Sequence, residues 1–384
     1  MQIPESTDRI TPKGDVLLDS VRKKFSEIED ARHQSYVDHK LTDILIVVMS
    51  AVLCGLDELG DIITFAQNRK ELLKDKFEID KIPSKPTLSR VLHMIDGEKV
   101  GKVIVEIMRE AVGTAGEVLA VDGKAICSTT KDGQPHSALQ ILTAYLTESG
   151  VILGQKAIHE KTNEIPVFQE MLDFLDVKNK IVTADAMHCQ KDTCRKIVKK
   201  GGNYLFGLKE NHKTLYDDVA LFFSDIINRD EFEVFQTIEK NSGRLEKRIC
   251  RKTSDISWLS CRDEWSNLQS IFEIRRLIET PRGRSEETCY YISSLEKPAE
   301  ELMKIAREHW KIESLHWMLD VVFSEDDCKI LSENGHKTLN AFRKLALLIH
   351  KHFLAKTGNK SSIKAHLLTC LLNQSIFAQI LDFL

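Results

Sequence analysis

Two acidic residues in this chain close apolar runs. Glu117-Val-Leu-Ala-Val-Asp122 ends in a carboxylate and is followed by Gly123, the pattern of a buried strand leading into a turn. Lys180-Ile-Val-Thr-Ala-Asp185 repeats that pattern. A carboxylate at a buried strand end is costly without a partner. The carboxyl edge of a sheet is also where open α/β folds place ligands. Taken singly, an Asp after a strand is more often a turn former than a ligand, so neither residue decides the matter alone. A third acid lies in Arg307-Glu-His-Trp-Lys-Ile-Glu-Ser-Leu-His-Trp-Met-Leu-Asp320. On a helix, His309, Trp310, Glu313, His316, Trp317 and Asp320 recur at i+3 and i+4 along one side. A core-facing stripe should be aliphatic and a solvated one should lack Trp, so this mixture suits a helix edge lining a polar cleft. Were Asp122, Asp185 and Glu313 to meet, three oxygen ligands would favour Mg²⁺ or Mn²⁺ over zinc. Two such ions about 3.5–4 Å apart can activate a water or a 3′-hydroxyl and stabilise the leaving oxygen of a phosphodiester.

These residues can meet only through the fold. Residues 14–116 read as all-helical, with Leu17, Leu18, Val21, Phe25 and Ile28 at three- and four-residue intervals. The stretch 41–56 is apolar nearly all round and should be central in its bundle. Ser84 is placed to N-cap a helix carrying Leu88, Val91, Leu92 and Ile95. Its polar Thr87, Ser89 and Arg90 suit either a DNA-reading helix or the outer face of a small bundle. From 117 the pattern is strand (117–122), strand (139–146), strand (151–158), helix (167–175), strand (180–185), helix (188–200), strand (204–208), an α/β layer with helices covering a mixed sheet. Four further strands follow, at 231–238, 245–252, 270–279 and 288–293. Helix resumes at Pro298 and runs to about Phe323, and the tail from 336 is helical.

The 384 residues carry a net charge of −4, with 42% apolar and 29% charged side chains. That balance excludes a disordered chain and a globally basic nucleic-acid coat. Nine scattered cysteines without a C-x-x-C pair, and a start with no secretory pattern, predict reduced thiols in a cytoplasmic protein. The apolar stretch 44–56 is too short to cross about 30 Å of hydrocarbon, so no membrane span is expected. Residues 329–366 hold eight Lys/Arg against one acid, which predicts a surface that tracks a nucleic-acid backbone in a salt-dependent way. His188 and Cys189 follow Asp185 and read as helix-start packing or substrate positioning, ahead of metal ligation.

Five segments occur in one order: Ala120-Val-Asp122-Gly-Lys124, Val182-Thr-Ala-Asp185-Ala-Met-His188-Cys-Gln190, Leu208-Lys-Glu-Asn211, Ser242-Gly-Arg-Leu-Glu246, and Arg307-x-His-Trp-x-Ile-Glu313-x-x-Leu-His-Trp317-x-Leu-Asp-Val321. Together they resemble the bacterial insertion-sequence transposases of the H-repeat-associated type, a DDE family, over essentially the whole chain. The resemblance implies a ribonuclease-H-like (retroviral-integrase-like) α/β catalytic core over 117–230 and 295–335. It implies a β-rich insertion at 231–294, a helical N-terminal domain at 1–116 for DNA-end binding or assembly, and a basic helical region at 336–384. The implied catalytic and metal-holding residues are Asp122, bridging two divalent ions (Mg²⁺ or Mn²⁺), with Asp185 and Glu313 completing one each. No nucleotide cofactor is implied. The partners would be double-stranded DNA, as terminal inverted repeats and as target, bound by a homodimer.

By position, Lys124, Lys209, Arg244, Arg307, His309 and Trp310 would contact DNA. Trp310 and Trp317 read first as packing residues and second as platforms for an unpaired base. The sequence departs from related transposases around the glutamate, where Ala306, His309 and Asp320 stand at spacings that usually hold Tyr, Arg and Lys. Arg307 is a partial substitute, and Ser242 stands where His usually precedes Gly-Arg. The rival readings are a metal-dependent nuclease without strand transfer and an inactive DNA-binding relic.

Overall fold

A computed structural model describes residues 14–33, 35, 37–130, 138–158, 164–225, 232–241 and 243–384. The chain forms two compact units: residues 1–113, 126–138 and 318–384 in one, and 114–125 with 139–317 in the other.

The first unit is helical. It holds α1 (Gly14–Ser26), α2 (Leu41–Val52), α3 (Leu59–Asn68), α4 (Lys70–Phe77), α5 (Lys85–Met94) and α6 (Gly97–Val112). Leu18, Val21 and Phe25 of α1 and Ile28 just beyond it are buried, and α2 is buried on all sides, as its unbroken apolar run requires. Ser84 caps α5 by accepting from the Thr87 amide at 3.4 Å. Leu88, Val91 and Leu92 then turn inward while Ser89 and Arg90 stay exposed. The chain returns to this unit as α11 (Glu333–Thr357), α12 (Ile363–Leu372) and α13 (Gln374–Phe383), with α11 buried from Gly335 through His350.

That burial removes three of the eight cations of 329–366 from the expected backbone-tracking surface, while Lys329, Lys356, Lys360 and Lys364 stay exposed. Lys337, Arg343 and Lys344 are 7%, 0% and 3% exposed. Lys337 pairs with Glu333 at 2.8 Å and Glu98 at 3.2 Å, and Arg343 with Asp57 and Glu325. Lys329 is drawn to Glu58 at 2.7 Å. A count of charges registers sign and number, whereas Lys337, Arg343 and Lys344 serve the interior of a bundle.

Helix α11 also presses on α6 at one point. A Cβ built on Gly97 would stand 2.7 Å from both the Asn334 carbonyl oxygen and the Lys337 Cβ. Gly97→Ala should therefore cost about 1–3 kcal/mol, the range for overpacking a close contact, read as a lower urea midpoint.

The second unit is a nine-stranded mixed sheet with helices. Its strands are β1 (Val118–Ile126), β2 (Leu139–Leu146), β3 (Ile152–Ile158), β4 (Ile181–Ala184), β5 (Asn203–Leu208), β6 (Glu233–Asn241), β7 (Arg244–Thr253), β8 (Ser270–Thr280) and β9 (Gly283–Ser293). The spatial order is β3-β2-β1-β4-β5-β9-β8-β7-β6. Strands β1, β4 and β5 run parallel, whereas β5-β9, β9-β8, β8-β7 and β7-β6 are antiparallel. The strand-rich stretch after residue 231 is thus continuous with the main sheet. The helices of this region are α7 (Glu164–Phe174), α8 (Lys191–Lys199), α9 (Lys213–Ser224) and the long α10 (Ala299–Phe323).

Two local expectations change. Strand β1 does not stop at Asp122 but continues through Gly123 to Ile126, because Gly123 here is extended strand. Helix α9 was not anticipated, although its Leu215, Val219 and Phe223 are buried at four-residue spacing. None of the nine cysteines is joined in a disulfide. Among the described residues no helix is long and apolar enough to cross a membrane.

Candidate active site

Strand register brings the two aspartates together. Val118 pairs with Ile181, Leu119 with Val182, Ala120 with Thr183 and Val121 with Ala184. One step further along come Asp122, still in β1, and Asp185, the first residue beyond β4, at the same end of two strands that lie about 4.8 Å apart. Side chains alternate, so Val118, Ala120 and Asp122 share a face with Ile181, Thr183 and Asp185. Val118 and Ile181 pack with Leu205, Phe272, Leu302, Met303 and Ala306, so the shared face looks at α10. Cys194 of α8 contacts Tyr204, one residue before Leu205, which puts α8 on the opposite face. The first turns of α10 are therefore apolar where the sheet is apolar. They become polar where the strands end in acids.

Three residues of α10, at i, i+4 and i+7, complete the arrangement. His309 Nε2 lies 3.6 Å from Asp185 Oδ1, and its Nδ1 lies 3.1 Å from the Thr183 hydroxyl. His316 Nδ1 lies 3.3 Å from Asp122 Oδ2. Glu313 stands between the two histidines in the helix. The His309 imidazole, and then the charge of Lys209, holds the Asp185 carboxyl below the usual range against the effect of burial. The Glu313 carboxyl is pushed up, first by the protein around it, then by the charges of Asp122 and Asp185. Three carboxylates from distant segments therefore feel one another. Their oxygens do not all lie within 4.8 Å of one another, so they do not form a cage around a single ion.

This donor set fits divalent cations. A carboxyl pushed up by neighbouring carboxylates, as Glu313 is, is stabilised in its charged form by a hard cation, and oxygen donors are what Mg²⁺ and Mn²⁺ take. Asp122 could serve two ions, with Asp185 and Glu313 each completing one, and that division does not require all three acids around one centre.

The remaining expected site residues are distributed as follows. Lys124 lies two residues beyond Asp122 and is partly buried. Lys209 is exposed and close enough to act on Asp185. Arg244 pairs with Glu246 at 2.9 Å and Arg307 with Glu239 at 2.7 Å, so both are engaged by carboxylates. Trp310 and Trp317 are 54% and 58% exposed, which corrects their reading as packing residues. The helix turns them to solvent beside His309 and His316. Ala306 is buried against the sheet, where a Tyr ring would displace the helix. Ser242 lies outside the described residues. Cys189 is fully buried, and the His188 ring sits edge-on to Phe168 at 5.0 Å.

Two contributors were not anticipated. Thr183 is buried at 1% exposure and orients His309. Glu164, at the start of α7, approaches both Gly123 and His188, with Oε2 3.4 Å from His188 Nε2. A Cβ on Gly123 would stand 2.9 Å from that carboxylate. The only sequence signal for Thr183 was its place two residues before Asp185. None pointed to Glu164.

Were Asp185 to hold a metal ion, the Asp185–His309–Thr183 chain would have a measurable role. Partners that orient a metal-holding group typically contribute 10–100-fold in affinity or activity. Thr183→Val should therefore lower activity about 10-fold and raise the divalent-ion concentration needed for half-maximal rate. His309→Ala should do more, because it also releases the Asp185 carboxyl toward its ordinary pKa. An unchanged ion requirement in both variants would remove this role.

Residues 113–349 match the family described as Transposase DDE domain, and residues 22–108 match its DDE_Tnp_1-associated region. The chain belongs to the Transposase DDE domain family. The chain is 35% identical over 339 residues to "Putative transposase YncI" of Escherichia coli O157:H7, covering 86% of this chain and 87% of that protein. It is 33% identical over 343 residues to "H repeat-associated putative transposase YhhI" of Escherichia coli K12, covering 86% and 90%. The second of these relatives supports the H-repeat-associated type for this family member. Among solved structures, a piggyBac transposase synaptic complex with hairpin DNA aligns with 98% of this chain and 83% of that one, at 11% identity and a TM-score of 0.48.

Proposed function

We propose that this DDE family member binds the ends of an insertion sequence, hydrolyses phosphodiester bonds there, and transfers the freed 3′-hydroxyl ends into target DNA. The observation that carries the reading is the convergence of Asp122 and Asp185, in parallel register, on a helix that presents Glu313 between two histidines. Asp122, Asp185 and Glu313 are the residues to hold two divalent ions, Mg²⁺ or Mn²⁺. Bound there, such ions supply Lewis-acid stabilisation of the scissile phosphate and a nucleophilic oxygen at neutral pH. His309 and Thr183 orient Asp185, and His316 orients Asp122. Lys209 stands at the carboxyl edge of β5, suited to a backbone phosphate. Exposed Trp310 and Trp317 suit stacking against an unpaired base.

The order β3-β2-β1-β4-β5, with parallel β1, β4 and β5, supports a ribonuclease-H-like reading of the core. The helical region matched over 22–108 is assigned end recognition or assembly. A homodimer follows from the need to hold two DNA ends together.

The test uses purified protein, Mg²⁺ and labelled DNA carrying the element's terminal repeats beside a target plasmid. Joined products support the proposal. Cleavage without joining would replace it by a nuclease, and a gel shift without cleavage by a DNA-binding relic.

A further inference from the structure

A second cluster of metal-ligating side chains lies in the helical unit and takes no part in the chemistry above. His350 of α11 and His366 and Cys370 of α12 are 0%, 2% and 0% exposed. A ring nitrogen from each histidine and the Cys370 sulfur all lie within 4.8 Å of one another. Among the described residues, no other three His, Cys, Asp or Glu side chains are gathered this closely. His366 and Cys370 are four apart on one helix, so they project from the same face.

The tautomer of His350 points the same way. Its Nε2 lies 2.8 Å from the Leu53 carbonyl oxygen, which can only accept, so Nε2 carries the hydrogen. The Nδ1 of a neutral His350 is then a lone pair aimed at His366 Nδ1, 2.8 Å away. A ring nitrogen that donates to a backbone carbonyl while the other faces the ligand set is the usual outer-shell arrangement of a metal-bound histidine.

Cys54 is a nearby thiol whose sulfur lies outside that group of three. Cys54 follows Leu53, whose carbonyl accepts from His350, and is 3% exposed. The adjoining Gly55 packs on Leu367 of α12: a Cβ there would stand 3.5 Å from that side chain. With the Cys54 sulfur turned in to join the other three, two imidazoles and two thiols would make a closed tetrahedral N/S set. Zinc takes this set, and Mg²⁺ does not.

We propose that His350, His366, Cys370 and Cys54 form a structural zinc site that ties α11 and α12 to the end of α2. Zinc binding would release the two thiol protons to solvent, and the two thiolates would neutralise the ion. The two histidine nitrogens would separate by about half an ångström to accept Zn–N bonds of about 2.0–2.1 Å at a tetrahedral angle. The site is independent of the carboxylate centre, so either reading can fail without the other.

The full chain, purified under reducing conditions and dialysed against EDTA-free buffer, should hold about one zinc per chain by elemental analysis. Cys370→Ser and His366→Ala should lose most of it. Cys189→Ser, which removes a buried thiol from the other unit, and Asp122→Asn should keep it. Reconstitution of the unaltered chain with Co²⁺ should give visible d–d bands and a thiolate-to-cobalt charge-transfer band. The cobalt spectrum decides the matter even if Cys370→Ser does not fold. Background zinc together with a cobalt spectrum lacking the thiolate band would overturn the site and leave the pair as a plain histidine–histidine hydrogen bond.

Discussion

Asp122→Asn and Asp185→Asn should each lower DNA cleavage by about 10³-fold or more, because loss of a cation ligand removes several kcal/mol of transition-state stabilisation. Glu313→Gln should do the same. Binding to terminal-repeat DNA should change little, since phosphate contacts come from cations elsewhere on the surface. The test is single-turnover cleavage beside a gel shift on the same DNA. The variants should also differ in charge balance. Removing the negative charge of Asp122 or Asp185 relieves the repulsion that pushes Glu313 up, so Glu313 should titrate nearer its ordinary range in both. Wild-type cutting by any one of the three variants would remove that residue from the site.

The second large effect concerns stability. Arg343 is fully buried and makes a forked contact with Asp57 Oδ2, at 2.9 Å from Nε and 2.6 Å from Nη2. Its Nη1 donates to Glu325 at 3.2 Å, and Asn340 donates to the same oxygen at 2.8 Å. Glu325 is also fully buried. Arg343→Met should destabilise the helical unit by about 3–5 kcal/mol, because it strands a buried carboxylate. Adding Glu325→Gln should restore part of the loss, as the amide keeps an acceptor for Asn340 and removes the charge. The sign with pH follows. In Arg343→Met the stranded Glu325 acquires a folded-state pKa above its unfolded value of about 4.3. The stabilisation gained by protonating it is complete below that value and lost as pH rises through the folded pKa. The deficit should thus shrink toward pH 4 and vanish from the pH profile once Glu325→Gln is added. A loss under about 1 kcal/mol at neutral pH would show that Arg343 is replaceable, as some buried ion pairs are.

Much of the catalytic-side geometry was legible in the sequence. The strands around Asp122 and Asp185 announce themselves as short apolar runs, because a strand covered on both faces has little choice of residue. The face carrying His309, Glu313 and His316 is fixed by helical periodicity. Which acid each histidine meets is not, since that depends on how α10 crosses the sheet. The roles of Thr183 and Glu164 were hidden for the same reason: both act through contacts between segments distant in the chain. Part of the tail misled for a different reason. Lys337, Arg343 and Lys344 look like a docking surface only until their burial and their partners on other helices are known. The zinc-type cluster was equally silent, because its donors are spread from residue 54 to residue 370 with only one helical spacing to betray them.

The pairing of β1 with β4 also bears on how copies of such a gene lose activity. Side chains in a strand alternate sides, so a single-codon insertion or deletion between Val118 and Val121 would exchange the inward and outward sets. Asp122 would then turn away from α10, and an apolar neighbour would take its place over Glu313. No acidic codon need be altered for the centre to be dismantled. A sequence survey that scores only the three acids would count such a copy as intact.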